Sequence, residues 1–227
     1  LVRAYARKRT LAERQLAAPA HRELLKGLFG ADIATFAAQL ATVNLAVRHL
    51  SDQPNYPLVA RSDFFDVQRG IPLYHVPLNG GTARDILLTD LDAVIGNPPY
   101  IRQEELPKDY KRRLADLFRA DWRGQTPLSA RSDIYAWFFS HGGGLLTPGG
   151  YLGFVTSIGW LDTEYGFHLQ EFFLKNFRIV AVLESQVEKW FEDARVTTAV
   201  TILQREPDET RRQQNPVRCV QLRKPLA

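Results

Sequence analysis

The sequence contains no methionine and opens on Leu1. A complete translation product starts with Met, so the chain reads as a fragment or a processed product. Cysteine is nearly absent. The single Cys219 excludes an internal disulfide and points to a reducing, cytoplasmic compartment. Long apolar runs are missing too: none approaches the roughly 18 residues that a membrane-spanning helix needs. No secretory signal pattern opens the chain. The histidines (His21, His49, His75, His141 and His168) are scattered, and no Cys/His spacing reads as a zinc site, so no metal is expected. Glycine does not occur before Gly27, which excludes a glycine-rich nucleotide loop in that stretch. No internal repeat or low-complexity tract is present.

What remains is the composition of a folded protein. The 227 residues are 45% hydrophobic, enough for one large domain with a core. The net charge of +4, with arginine outnumbering lysine, is compatible with a polyanionic partner and does not by itself require one.

The pattern alternates. Residues 1–16 are rich in Ala, Arg and Leu and predict a helix. "LLKGLFGAD" predicts a strand ending at Asp32. Ile33, Phe36, Ala37, Leu40, Val43 and Val47 follow at helical spacing. "SDQPNYP" breaks that helix. "IPLYHV" predicts a strand, "ARDILL" a strand end or turn, and "LDAVIG" a buried strand. Residues 102–131 turn polar and basic, with a helix around "KDYKRRLADLFRA". "DIYAWFFSHGGGLL" predicts a helix closed by the turn "TPGG". A strand "YLGFVTS", a helix "EYGFHLQEFFLKN" and a strand "FRIVAVLES" come next. Two final strands, "VTTAVTILQR" and "VRCVQL", flank a charged turn. Strands and helices in this order predict a doubly wound α/β sheet, mostly parallel. The last two strands, with no helix between them, predict an antiparallel edge.

Ligands of such sheets bind beyond the carboxyl ends of the strands. Asp32, Asp85 and the loop at Asn97 fall there. A strand-end acid can accept hydrogen bonds from ribose hydroxyls; Asp32 can equally cap the helix that follows, and Asp85 can be a plain turn residue. Asn97-Pro98-Pro99-Tyr100 is the sharper signal. Two prolines can continue neither a sheet nor a helix interior. Asn97, standing before proline, is held extended. Its side-chain carbonyl and the Pro98 carbonyl are two acceptors beside the flat face of Tyr100. That set suits a planar ring carrying an amino group. The acceptors take both N–H bonds, the ring stacks, and the nitrogen lone pair is exposed for attack. A diproline turn with a packed tyrosine is the plain alternative.

"DAVIGNPPYIRQE" resembles motif IV of the N6-adenine DNA methyltransferases, most nearly the gamma-class enzymes of type IIG restriction–modification systems. "LFGADIATFAAQLATVNL" resembles that family's second strand and helix. "TARDILL" resembles its motif III, and "WFEDARVTTAVTILQRE" its closing segment. The ordered likeness runs over residues 26–222. It implies a Rossmann-like class I S-adenosylmethionine-dependent fold and a bacterial or archaeal source. The reaction it implies is methyl transfer to the N6 amine of an adenine flipped out of double-stranded DNA. Asn97, Pro98, Pro99 and Tyr100 would carry the chemistry. Asp32, Ile33, Asp85 and Ile86 would hold S-adenosylmethionine. Tyr100 and Phe191 would wall the target base, with Leu203 the other candidate for the second wall. Where the family often has Pro after the strand-end Thr, Ser157 follows Thr156.

The family's first strand and its glycine loop have no counterpart here. The resemblance therefore implies a catalytic-domain fragment, 1–227, cut before that loop. Alone it would bind cofactor poorly and be inactive. Residues 101–131 would be a basic, DNA-facing insertion, although "KDYKRR" also suits a solvated helix face. The DNA site would be read by a separate target-recognition domain further along. Two other readings stand beside this one. Glutamine methyltransferases acting on release factors also carry Asn-Pro-Pro-Tyr-Ile, but their acidic-Pro-Arg segment is absent, and some RNA methyltransferases have a similar loop. The chain could also be a non-catalytic DNA-binding piece. "HGGG" at His141–Gly144 lacks the Gly-x-Ser-x-Gly elbow that would make it an oxyanion loop.

Overall fold

Phe29-Gly30-Ala31-Asp32 is too short to stand as a lone strand, and its partner comes later in the chain. The computed structural model describes residues 1–15, 20–50, 55–77, 82–185, 187 and 197–224. They form two units, Leu1–Thr89 and Asp90–Ala227.

In the first unit, α1 (Val2–Arg14) and α2 (His21–Leu25) precede β1 (Phe29–Asp32). Helix α3 (Thr35–Ala46) then crosses over to β2 (Leu58–Arg61). Strands β1 and β2 pair in parallel from Phe29↔Leu58 to Asp32↔Arg61, and the helical crossover makes that pairing possible. Strand β2 escaped the sequence reading because only Leu58, Val59 and Ala60 mark it. One core cluster of this unit is Tyr5, Leu24, Leu25 and Leu45. His21 fastens it. Its Nε2 donates to Asn55 Oδ1 at 2.9 Å, so Nδ1 is the acceptor for the Tyr5 hydroxyl at 2.7 Å.

Helix α3 lies where the spacing predicts it, but with its faces exchanged. Ile33, Phe36, Leu40, Val43 and Val47 are exposed, and the buried positions are Ala38 and Leu45. Small Ala38 permits close approach, and Leu45 completes the core. The unit ends in an antiparallel hairpin, β3 (Pro72–Pro77) with β4 (Ala83–Leu87). "ARDILL" is thus a strand. Tyr74 of β3 donates to the Gly30 carbonyl at 3.2 Å, and burial pushes its phenol up to about 12.

The second unit starts with β5 (Leu91–Gly96). It continues through α4 (Lys108–Asp121), α5 (Ile134–Gly144), β6 (Leu146–Ser157), α6 (Glu164–Asn176), β7 (Phe177–Ser185) and β8 (Thr198–Arg205). A short α7 (Glu209–Gln213) and β9 (Arg218–Leu222) close it. The sheet order is β5-β6-β8-β7-β9. Strand β5 is parallel to β6, and β9 to β7. Strand β8 runs antiparallel to both its neighbours. This corrects the expected antiparallel edge: the reversed strand is interior, and the edge strand β9 is parallel to the strand it pairs with. The reason is burial. Ala199, Thr201 and Leu203 are fully enclosed, so β8 needs a strand on each side, and α7 carries the chain across to the far side of β7.

Glycines permit this packing. Gly149 has φ of 85°, which favours glycine, inside a bulge of β6 where the register jumps from Leu91↔Leu146 to Ala93↔Tyr151. The predicted turn is therefore a bulge within a strand. A Cβ on Gly143 would lie 2.5 Å from the Phe177 ring and one on Gly142 3.2 Å from Leu152, so these two serve helix–sheet contact. The core is aromatic: Phe173 sits 4.9 Å from Phe139 and 5.2 Å from Trp160, centroid to centroid.

Candidate active site

Strand β5 was expected to be buried, yet only Val94 of it is. Among the described residues β5 pairs with β6 alone, so its other edge and most of its side chains lie open. The chain leaves the strand at Gly96 and enters the diproline loop. Pro98 is buried, whereas Asn97 and Pro99 are exposed. Tyr100 is 37% exposed, and partial burial raises its phenol above the usual range. The buried Pro98 seats the loop, and Asn97 and Tyr100 flank it at the surface. Neither Asn97 nor Tyr100 is packed into the interior.

The loop is tied down just past Tyr100. The Ile101 carbonyl accepts the Ile134 N–H at 3.2 Å, at the start of α5. The Gln103 N–H donates to Asp133 Oδ1 at 3.0 Å, and Lys111 Nζ donates to Gln103 Oε1 at 2.9 Å. None of these contacts was anticipated. The contacts from Ile134 and Asp133 join the loop to a segment some thirty positions away, which no local pattern announces, whereas Lys111 lies 8 positions on.

Helix α4 follows. Leu114 and Phe118 are its buried face. Of its cations, Arg119 pairs with Asp116 at 2.6 Å and Arg113 lies over the Tyr110 ring. Lys108 and Arg112 are exposed. His141 of α5 is buried against Asp121 of α4, Nδ1 to Oδ2 at 2.8 Å, so it fastens two helices.

In the first unit, Asp32 ends β1 and is exposed. Its Oδ1 accepts the Ala34 N–H at 2.8 Å, so it does turn the chain toward α3. Its Oδ2 has no hydrogen-bond partner among the described residues. Ile33 and Phe36 beside it are 72% and 75% exposed. Asp85 and Ile86 are not at this strand end. They lie within the β3–β4 hairpin, where Asp85 faces His75 with Oδ1 2.7 Å from Nδ1. The acid at the end of the neighbouring strand is Asp63, two residues past β2: the Ser62 N–H donates to the Asp32 carbonyl at 3.0 Å, and Asp63 Oδ1 accepts the Phe65 N–H at 3.1 Å. The signal that could have found it is Ser-Asp-Phe-Phe after a short apolar run.

Of the base-wall candidates, Phe191 lies outside the described residues. Leu203 is fully buried in the interior strand β8 and cannot face a ligand. Ser157, in place of the expected proline, caps the turn after β6: its Oγ accepts the Gly159 N–H at 3.1 Å. Among the described residues no group of three or more His, Cys, Asp or Glu side chains could hold a metal. None of the described helices is long and apolar enough to cross a membrane.

Comparison with known proteins adds to this geometry. Residues 26–191 match the family model described as Eco57I restriction-modification methylase. The type II methyltransferase M.XhoI of Xanthomonas vasicola is 29% identical over 115 residues, covering 50% of this chain and 20% of its own. M.BanIII of Aneurinibacillus aneurinilyticus is 32% identical over 104 residues, covering 46% of this chain and 17% of its own. The chain thus spans about a fifth of the length of the curated relatives it matches. The fold resembles that of the type ISP restriction-modification enzyme LlaGI, solved as a nuclease-deletion mutant with a DNA substrate mimic. The TM-score is 0.62 at 16% identity, over 96% of this chain and 20% of that one.

Proposed function

The chain belongs to the Eco57I restriction-modification methylase family, and from that premise we propose that it transfers a methyl group from S-adenosylmethionine to the N6 amine of adenine in DNA. One observation carries the reading. At the end of β5 the buried Pro98 seats the loop while Asn97 and Tyr100 stand exposed around it.

Asn97 Oδ1 and the Pro98 carbonyl accept the two N–H bonds of the amine and draw its nitrogen out of conjugation. Pro99 keeps the loop stiff. The adenine is flipped out of double-stranded DNA, at a cost of a few kcal/mol. Stacking on Tyr100 returns about 1–3 kcal/mol of that. Phe191 is the second aromatic of the base pocket in this reading.

The residues fit the cofactor. A strand-end carboxylate with an uncommitted oxygen, Asp32 Oδ2, suits a ribose diol, and Ile33 and Phe36 offer apolar surface next to it. Asp63 takes the place expected of Asp85, because it stands at the end of the strand paired with β1. When bound, S-adenosylmethionine supplies an electrophilic methyl group. No metal takes part.

The test is to incubate the full-length protein with methyl-labelled S-adenosylmethionine and, separately, duplex DNA, RNA and a release factor, then digest and identify the labelled product. N6-methyladenine from DNA is expected. Label confined to RNA or to a glutamine would move the activity to the corresponding rival class.

In the same reading residues 101–131 form a DNA-facing segment, and the exposed Lys108 and Arg112 meet phosphates. Lys108→Ala and Arg112→Ala should each weaken duplex binding without regard to sequence. Each should also lower the slope of log affinity against log salt by about 1. Unchanged slopes would make α4 a merely solvated face.

A further inference from the structure

We propose that Asp133 is a positioning residue for the Asn97–Tyr100 loop, and that Tyr165 and Tyr135 form the hydrogen-bonded chain that aims its carboxylate. The inference rests on the methyl-transfer reading for its effect on rate, but its structural half stands alone.

Asp133 immediately precedes α5, yet its side chain does not cap that helix. The carboxylate turns away instead. Its Oδ1 accepts the Gln103 N–H at 3.0 Å, and its Oδ2 accepts the Tyr165 hydroxyl at 2.9 Å. Tyr165 spends its one proton on Asp133. The 2.9 Å contact between the two tyrosine hydroxyls therefore has Tyr135 donating to Tyr165. The chain is polarised in one direction, from Tyr135 through Tyr165 to the carboxylate. Burial, first, and the Tyr165 contact with the nearby Asp133 charge, next, push the Tyr135 phenol far up, so its proton stays in place.

The geometry makes this a clamp on the loop. The Ile101 carbonyl is held by the Ile134 N–H and the Gln103 N–H by Asp133, so consecutive residues at the start of α5 grip the chain directly after Tyr100. Tyr165 sits on α6, so the carboxylate is oriented from a second helix and does not depend on its own rotamer preference. A stiff loop needs such anchoring, because two acceptors grip an amine only when both are in place, and a displacement of about 1 Å can cost on the order of 100-fold in rate.

The experiment uses the full-length protein, with D133A, D133N and Y165F compared to wild type. Single-turnover methylation of duplex DNA gives the rate. Hydrogen–deuterium exchange over residues 97–106 gives the loop. D133N keeps an oxygen for the Gln103 N–H, but its amide can only donate to Tyr165, so the chain would have to reverse and the buried Tyr135 hydroxyl would lose the acceptor it has now. D133N therefore keeps the Gln103 clamp and weakens the chain that aims it.

D133A is expected to slow the chemical step by roughly 10- to 100-fold, with DNA affinity unchanged, and to speed exchange at Gln103 by on the order of tenfold. D133N should lie between D133A and wild type in both, because it keeps the acceptor for the Gln103 N–H and weakens the tyrosine chain. Y165F should lie between, and it carries the test if D133A fails to fold. The proposal is overturned if D133N falls as far as D133A, or if Y165F and D133A match wild type in rate and exchange. If exchange behaves as expected while no variant, nor wild type, methylates DNA, the clamp stands and the methyl-transfer reading falls.

Discussion

Replacing Asn97 by alanine is expected to lower methyl transfer by at least about 100- to 1000-fold, the scale of losing one preorganised polar partner at a reacting group. The argument is geometric. An exocyclic amine is unreactive while its lone pair is shared with the ring. Two acceptors on opposite N–H bonds shift it toward a tetrahedral nitrogen, and one acceptor alone leaves it planar. Alanine removes the Asn97 acceptor and keeps the diproline frame, since the extended conformation before Pro98 suits alanine as well. Asn97 is exposed, so no core packing is lost. In the proposed reading DNA affinity rests on phosphate contacts and on stacking against Tyr100, so it should stay near wild type. The loss should appear in kcat and in kcat/KM together, the signature of an interaction made in the transition state. A variant that methylates at near-normal kcat would remove Asn97 from the mechanism and the functional reading with it.

Phe173→Ala should strongly destabilise the second unit. Its ring is fully buried on α6, against Phe139 and Trp160, with Phe172 and Phe177 adjoining. Deleting such a ring removes its transfer free energy and leaves a cavity that rigid aromatic neighbours cannot fill, for about 3–5 kcal/mol. Thermal unfolding should shift down by roughly 10 °C. Phe167→Ala on the same helix is the control. That side chain is 64% exposed, and its loss should change stability by less than about 0.5 kcal/mol. Comparable melting of the two variants would mean that the cluster around Phe173 is not what holds the second unit together.

Much of this site was legible in one dimension. The exit from β5 through Asn97-Pro98-Pro99-Tyr100 follows from the stereochemistry of proline, which acts on its immediate neighbours and needs no tertiary information. Asp32 was legible for the same reason: a short apolar strand, an acid, then a helical period. Asp63 and Asp85 differ in a way that local pattern does not carry. Both are acids near the end of an apolar stretch. Only the pairing of β1 with β2 puts Asp63 at the end of the strand neighbouring Asp32's and leaves Asp85 against His75 in a hairpin. The face of α3 was misread for a related reason. Helical spacing identifies an apolar stripe, but it does not say that close packing on a sheet will select Ala38 over Phe36.

The sequence by itself determined the local events: which segments wind or extend, where prolines force the chain out of a strand, and which side chains can accept a hydrogen bond. Each depends on residues within one or two turns of one another. Only the tertiary structure decided that β8 lies inside the sheet, that Asp63 stands at the end of the strand beside Asp32's, and that Asp133 reaches back to Gln103. These are contacts between distant segments, chosen by which arrangement buries the most apolar surface and satisfies the most backbone groups at once. That choice belongs to the whole chain, and no short stretch of it carries the answer.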